Sequence, residues 1–151
     1  MRDKKFIAEH RGGSLKIEQH RQLIIWSCNC AEHVFPLLNE ESDERLKYAI
    51  FIAKEWEKGK ATTGDARNAS LKSITVANES SDPVAIAVAQ AVGHAVATAH
   101  MADHSLIAAW YALKAVRAAG YSTEPEKNWQ NKQLPSEITE LVLTSRNKTA
   151  H

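Results

Sequence analysis

The chain has 151 residues, of which 44% are hydrophobic and 25% are charged, and its formal net charge is +1. This composition is typical of a single globular domain and argues against wholesale disorder. Because 19 basic side chains nearly balance 18 acidic ones, the chain lacks the basic excess with which proteins bind a nucleic acid backbone. We therefore expect one domain over residues 1–151 that does not bind nucleic acid.

The first predicted elements are a polar N-terminal arm and a long helix. The arm covers residues 1–13 and ends in Gly12–Gly13. It has no apolar run of the kind found in secretory signals, so we expect a cytoplasmic protein. Apolar residues at helical spacing then predict a helix from about Leu15 to the Phe35–Pro36 region, where the proline ring ends or kinks it.

Two further helices are predicted from their start and stop signals. Ser42–Asp43 offers oxygen atoms to the free amides of a first turn, and Gly59 is a typical residue just beyond a helix end. A third helix follows from Thr63, with small apolar residues at helical spacing up to Ala77.

The stretch from Pro83 to Ala119 keeps a helical period throughout, and Trp110, which lies in phase with its apolar residues, is expected to face the core. Asp82 and Pro83 form a strong start signal, as N-cap and first helical residue. One unbroken helix would be about 55 Å long, which exceeds the diameter of about 40 Å expected for this chain. We therefore predict a break near Met101–Asp103 and an antiparallel helix pair. Its first member, the alanine-rich segment 83–102, is expected to be the central buried helix, and its polar side chains argue against a membrane span.

Two short helices are predicted beyond Gly120. Thr123 and Glu126 have the spacing of a capping box, and "LPSE" precedes a last helix whose apolar side includes Ile138. Residues 146–151 are expected to form a frayed tail. The sequence thus predicts an all-α, single-domain, alanine-rich bundle of about six to seven helices.

The segment "GHAVATAHMADH" places several potential metal ligands within a predicted helix. Two histidines four residues apart can hold one metal ion, and a neighbouring carboxylate can orient a ring. The favoured interpretation is a buried polar network, because "HMADH" departs from the H-E-x-x-H motif and buried rings need partners in any case. The candidate cluster, with two residues of the first helix that could complete it, consists of His94, His100, Asp103, His104, Cys30 and His33.

A second candidate site is a repeated His-Arg pair near the N-terminus. "EHRGG" and "EQHRQ" place His10, Arg11, His20 and Arg21 ten residues apart. They could form a corner that binds an anion or a partner. The favoured alternative is an ordinary arm that folds back on the bundle, since no phosphate-loop pattern follows the glycines.

Four segments together resemble a family of bacterial immunity proteins that act against polymorphic toxins. They are "HRGGSL…EQHR", "W-x-x-x-CAEHVFPL", "GHAVATAHMADHSLIAAWYALKA" and "QLPSEITELVL", and the resemblance runs from His10 to about Val142. It implies a small cytoplasmic protein whose partner is a cognate protein toxin. It implies no catalytic or metal-binding residue.

Two functions from different classes follow. The first is a non-catalytic immunity protein without a cofactor, more consistent with the lack of a complete catalytic motif. The second is a histidine-based enzyme or sensor, dependent on a divalent transition metal such as zinc, that uses the cluster around residues 94–104. A homodimer is compatible with either, because an uncovered alanine-rich helix face would associate.

Overall fold

Seven α-helices account for most of the residues that the computed structural model describes, residues 3–149. In chain order they are α1 (Ile17–His33), α2 (Glu44–Glu57), α3 (Thr63–Glu79), α4 (Pro83–Ala97), α5 (His104–Ala118), α6 (Glu124–Lys132) and α7 (Ser136–Thr149). Short 3-10 helices lie at Lys4–Phe6, Glu9–Arg11 and Phe35–Leu37. Within this described range there is no β-strand, so the predicted all-α bundle is confirmed. None of these helices is long and apolar enough to cross a membrane.

The helix ends follow the local signals in the sequence. The side chains of Asp43 and Asp82 each accept a hydrogen bond from the backbone N–H two residues on, at 2.8 and 3.2 Å. Pro83 follows directly, where its missing N–H leaves no bond unmade. Gly59 and Gly120 end α2 and α5 with φ angles of 78° and 93°, which glycine adopts without strain.

Helix α4 lies at the centre of the bundle and contacts α1, α2, α3 and α5. Its buried residues are alanines, valines and one glycine, and these small side chains let neighbouring helices come close. A Cβ atom added at Gly93 would lie only 2.6 Å from Cδ1 of Ile74 on α3. Ser70 of α3 donates a hydrogen bond to the Gly93 carbonyl at 2.8 Å. The segment is the predicted central helix, but it ends at Ala97 and not at residue 102.

The long helical stretch breaks at residues 98–103, so the predicted break exists but begins earlier than Met101. The Thr98 hydroxyl donates to the His94 carbonyl at 3.2 Å, and the turn is closed by the His100 N–H donating to the Ala97 carbonyl at 3.0 Å. Helix α5 then folds back along α4, which brings Tyr111 against His94.

A second apolar cluster joins α1 to the C-terminal helices. Trp26 is its largest member, with only 1% of its surface exposed. The Trp26 indole N–H donates to the Gln130 carbonyl at 2.8 Å, and the Gln130 side chain donates to the Ala109 carbonyl at 3.1 Å. Ile138 and Val142 of α7 fill the remaining space. The cluster therefore ties α1, α5, α6 and α7 together.

Two predictions for the C-terminal region were wrong. Thr123 precedes α6, but its side chain makes no capping hydrogen bond. Glu126 is bound instead to Nδ1 of His33 at 2.6 Å, so it does not reach back to the Thr123 backbone. The tail expected from Arg146 is helical as far as Thr149, because the half-buried Arg146 guanidinium donates to Asn131 and Gln130. The frayed tail predicted for residues 150 and 151 lies outside the described residues.

Candidate functional site

The turn between α4 and α5 brings two of the predicted histidines into contact. His94, near the end of α4, and His104, at the start of α5, have their Nδ1 atoms 3.0 Å apart. Tyr111 stacks on the His94 ring, with the ring centroids 5.2 Å apart and an interplanar angle of 4°. His100 lies in the turn, with its ring centroid 6.1 Å from that of His104. His100 and His104, which were predicted to share one helix face, therefore lie on different elements: His100 in the turn and His104 in α5.

Cys30 and His33 are not brought to this pair. Cys30 is buried in the cluster around Trp26, and burial raises the pKa of its thiol far above the ordinary value, so the thiol is not a ready nucleophile or ligand. The His33 ring stacks on Trp129, with the ring centroids 3.5 Å apart, and its Nδ1 is hydrogen-bonded to Glu126. Over residues 3–149, no group of three or more His, Cys, Asp or Glu side chains is placed to hold a metal ion.

The contact between His94 and His104 requires at least one uncharged ring, because one Nδ1 must be unprotonated to accept the hydrogen bond that the other Nδ1–H donates. Burial, followed by the nearby His104, lowers the pKa of His94 from 6.5 to about 4. His94 is therefore uncharged at neutral pH, and its contact with His104 links the end of α4 to the start of α5.

We expect this pair to destabilise the protein in acid. Below pH 6.5 the unfolded chain takes up a proton at His94, whereas the folded chain does so only near pH 4, so the free energy of unfolding falls between these values. Allowing for solvent screening of a half-exposed ring, the loss is about 1 to 2 kcal/mol. Urea denaturation at pH 7.0 and 4.5 measures the difference in the free energy of unfolding, and His94→Gln should reduce that difference by this amount, leaving the contributions of the other partly buried histidines, His20 and His100. An unchanged pH dependence in this variant, with His10→Gln as the exposed control, would contradict the assignment.

The N-terminal arm forms a second candidate site with the same turn. Gly12 has a φ of 89° and Gly13 passes so close to Ile7 that an added Cβ would lie 2.0 Å from its carbonyl oxygen. These glycines turn the arm back over the start of α1, where His10 and Arg11 face a pocket of about 330 Å³. The residues that line the pocket include His10, Arg11, Ile17, His20, Trp56 and His100. We call it the arm pocket.

Three of the four residues predicted to form the His-Arg corner therefore meet. His20 donates from Nε2 to the Thr98 carbonyl at 2.6 Å, and its pKa is lowered, mainly by burial and further by the nearby His10 and Arg11. Arg21 is exposed and lines a different hollow, beside Glu18 and Gln22. His100, which the sequence assigned to the other cluster, belongs to this pocket as well.

A third site was not predicted from the sequence. Trp110 was expected to face the core, yet 55% of its surface is exposed. With Ile107 on the same face of α5, it lines a groove of about 580 Å³ between α5, α6 and α7. Charged side chains along this groove, which we call the α5–α6 groove, include Asp103, Arg117, Glu124 and Lys127. Lys114 lies above the Trp110 ring, with its Nζ 5.6 Å from the ring centroid.

Trp110 is exposed because α5 turns its smallest residues toward its neighbours. Its buried residues are Ser105, Ala108, Ala109, Ala112, Ala115 and Val116. Only small side chains fit between helices that approach this closely, so the larger apolar residues are left outside. The spacing of the alanines in α5 marks its buried face. It could therefore have predicted the groove, whereas the spacing of the large apolar residues could not.

Comparison with known proteins identifies a family. The model of a family described as Imm-5 like putative immunity protein matches residues 13–137, which is most of the chain. No curated protein and no solved structure matches the chain.

Proposed function

Because the chain belongs to the Imm-5 like putative immunity protein family, we propose that it binds a cognate protein toxin and neutralises it without catalysis. The family match is the observation that carries this proposal. It further leads us to place the protein in the cytoplasm of the bacterium that makes the toxin, where an inhibitor must meet any toxin that reaches the cell interior.

The α5–α6 groove is the surface we assign to the toxin. Tryptophan and arginine dominate the binding energy of protein interfaces, because they bury a large area and also hydrogen-bond. Trp110 and Ile107 expose apolar area on one face of α5, with Arg117 about two to three helical turns further along. The groove thus combines an aromatic anchor with a polar rim, which is the usual anatomy of an interface.

The charges of the groove indicate what it binds. Lys114, Arg117 and Lys127 outnumber the acidic residues at the same place, Asp103 and Glu124. An apolar or aromatic side chain of the toxin would pack against Trp110. Carboxylates around that side chain would form ion pairs with the basic residues of the groove. Complementary charges of this kind speed association and exclude wrong partners.

Co-expression tests the proposal directly. The protein is produced in a bacterial host together with the product of each toxin gene adjacent to its own gene, and growth is followed. We expect rescue with one toxin, and a stable complex of the two proteins in size-exclusion chromatography. Failure to rescue growth against every such toxin would contradict the proposal. A homodimer formed through the groove, detected by sedimentation of the protein alone, would instead assign this surface to a second copy of the chain.

A further inference from the structure

We propose that the arm pocket binds a small organic anion, with the oxyanion head at Arg11 and the histidines and an apolar body against Ile17 and Trp56. The pocket shares no lining residue with the α5–α6 groove. The inference therefore stands independently of toxin binding.

The hydrogen-bond donors that line the pocket are the first argument. His10, Arg11, His20 and His100 all line it, whereas Glu9 is the only acidic side chain that does so. Within residues 3–149, the Arg11 guanidinium has no hydrogen bond or ion pair with another side chain. An arginine fork without a carboxylate partner is suited to bind one bidentately. Arg67 adds positive charge near His100.

The ring nitrogens of two histidines are the second argument. His20 uses Nε2 to bind the Thr98 carbonyl, which fixes the plane of its ring in the pocket wall. In His100, Nδ1 is buried and has no hydrogen-bond partner. Nε2 is therefore the ring nitrogen of His100 that can meet a ligand. Among residues 3–149 no hydrogen bond already occupies this nitrogen.

The rigid placement of the arm is the third argument. Several backbone hydrogen bonds close the arm on itself. Among them, the Gly13 N–H donates to the Ala8 carbonyl at 3.1 Å, the Glu9 N–H to the Leu15 carbonyl at 3.1 Å, and the Leu15 N–H to the Ile7 carbonyl at 3.0 Å. Phe6 and Leu15 anchor it in the core. Arg11 is therefore held over the pocket, and binding need not order the arm, which would reduce affinity.

The apolar wall and the size of the pocket indicate the class of ligand. Ile17 lines the pocket and has 47% of its surface exposed. Trp56 lies beside His20, with the ring centroids 4.9 Å apart. A volume of about 330 Å³ is at the small end of ligand sites. A carboxylate or phosphate ester with a ring-sized apolar body fits this combination better than a bare inorganic anion.

The test uses the full-length protein and four probes: benzoate, phenyl phosphate, acetate and inorganic phosphate. Amide chemical shifts are followed by NMR at constant ionic strength. We expect benzoate or phenyl phosphate to shift the resonances of residues around the arm pocket, and to bind about tenfold more tightly than acetate or inorganic phosphate. Which of the two aromatic probes binds better distinguishes a carboxylate ligand from a phosphate ester.

Arg11→Gln is the decisive variant, and Arg21→Gln is its matched control. Arg11 is exposed and makes no contact that the fold requires, so the variant should fold, which its thermal melt verifies. We expect binding to weaken at least about tenfold in Arg11→Gln and to be unchanged in Arg21→Gln. Shifts spread over the whole surface, no binding at about 10 mM probe, or equal weakening in both variants would overturn the proposal.

Discussion

Replacing Trp110 with alanine is expected to weaken toxin binding by about 2 kcal/mol or more, which corresponds to about 30-fold in Kd. The indole is the largest exposed apolar surface of the α5–α6 groove, and its loss leaves the partner's side chain without a contact. Because the ring is exposed, the free energy of unfolding should change by less than about 0.5 kcal/mol. Isothermal titration calorimetry with the toxin and urea denaturation measure the two quantities.

Phe51→Ala is the matched control for this prediction. Phe51 lies on α2 with 54% of its surface exposed and does not line the groove. The control removes a similar apolar area, so a general loss of surface hydrophobicity would affect both variants alike. We expect Phe51→Ala to keep full affinity and growth rescue. If Phe51→Ala abolished binding and Trp110→Ala did not, the toxin would bind the α2 face instead.

Trp26→Ala is expected to lower the free energy of unfolding by about 3 to 5 kcal/mol. The side chain is almost completely buried and links α1 to α6 through its hydrogen bond to the Gln130 carbonyl. The Arg146 guanidinium also lies 5.4 Å from the ring centroid. Alanine leaves a cavity between the helices and an unpaired carbonyl. This cost is large, because the total free energy of unfolding of a protein domain is only about 5 to 15 kcal/mol.

Trp26→Phe separates the two contributions. Phenylalanine keeps an aromatic ring in the cluster but cannot donate to Gln130, so we expect a loss of about 1 to 3 kcal/mol from the missing hydrogen bond and smaller ring. Both values come from urea denaturation followed by circular dichroism. A cost below about 1 kcal/mol for Trp26→Ala would mean that α6 and α7 are not held to α1 by this cluster.

The parts of the fold that the sequence predicted are those set by neighbouring residues. Asp43 and Asp82 cap their helices within two residues, and Gly59 ends α2 by its own backbone conformation. Signals of this kind are local, so one sequence is enough to read them. The capping box at Thr123 failed because Glu126 binds His33, which is 93 residues away in the chain.

The candidate sites were harder to predict, because each depends on how the chain turns. His100 and His104 have the spacing of neighbours on one helix face, but the turn at residues 98–103 places His100 in the arm pocket and His104 against His94. The His-Arg corner was one of two alternatives in the sequence, and the turn at Gly12 and Gly13 brings three of its four residues to the arm pocket. Trp110 was placed in the core because large apolar residues usually face inward, a rule that close packing of alanine helices reverses.

The order in which the helices pack has a consequence for the speed of folding. Neighbours in sequence are neighbours in space from α2 to α5, and such short-range contacts are typical of chains that fold within microseconds to milliseconds. The bond from Trp26 to Gln130 joins residues 104 positions apart, so it forms only after the chain as far as α6 has left the ribosome. At synthesis rates of about 5 to 20 residues per second, emergence of these residues takes far longer than folding. The appearance of α7 therefore sets the moment at which each new molecule closes its second apolar cluster.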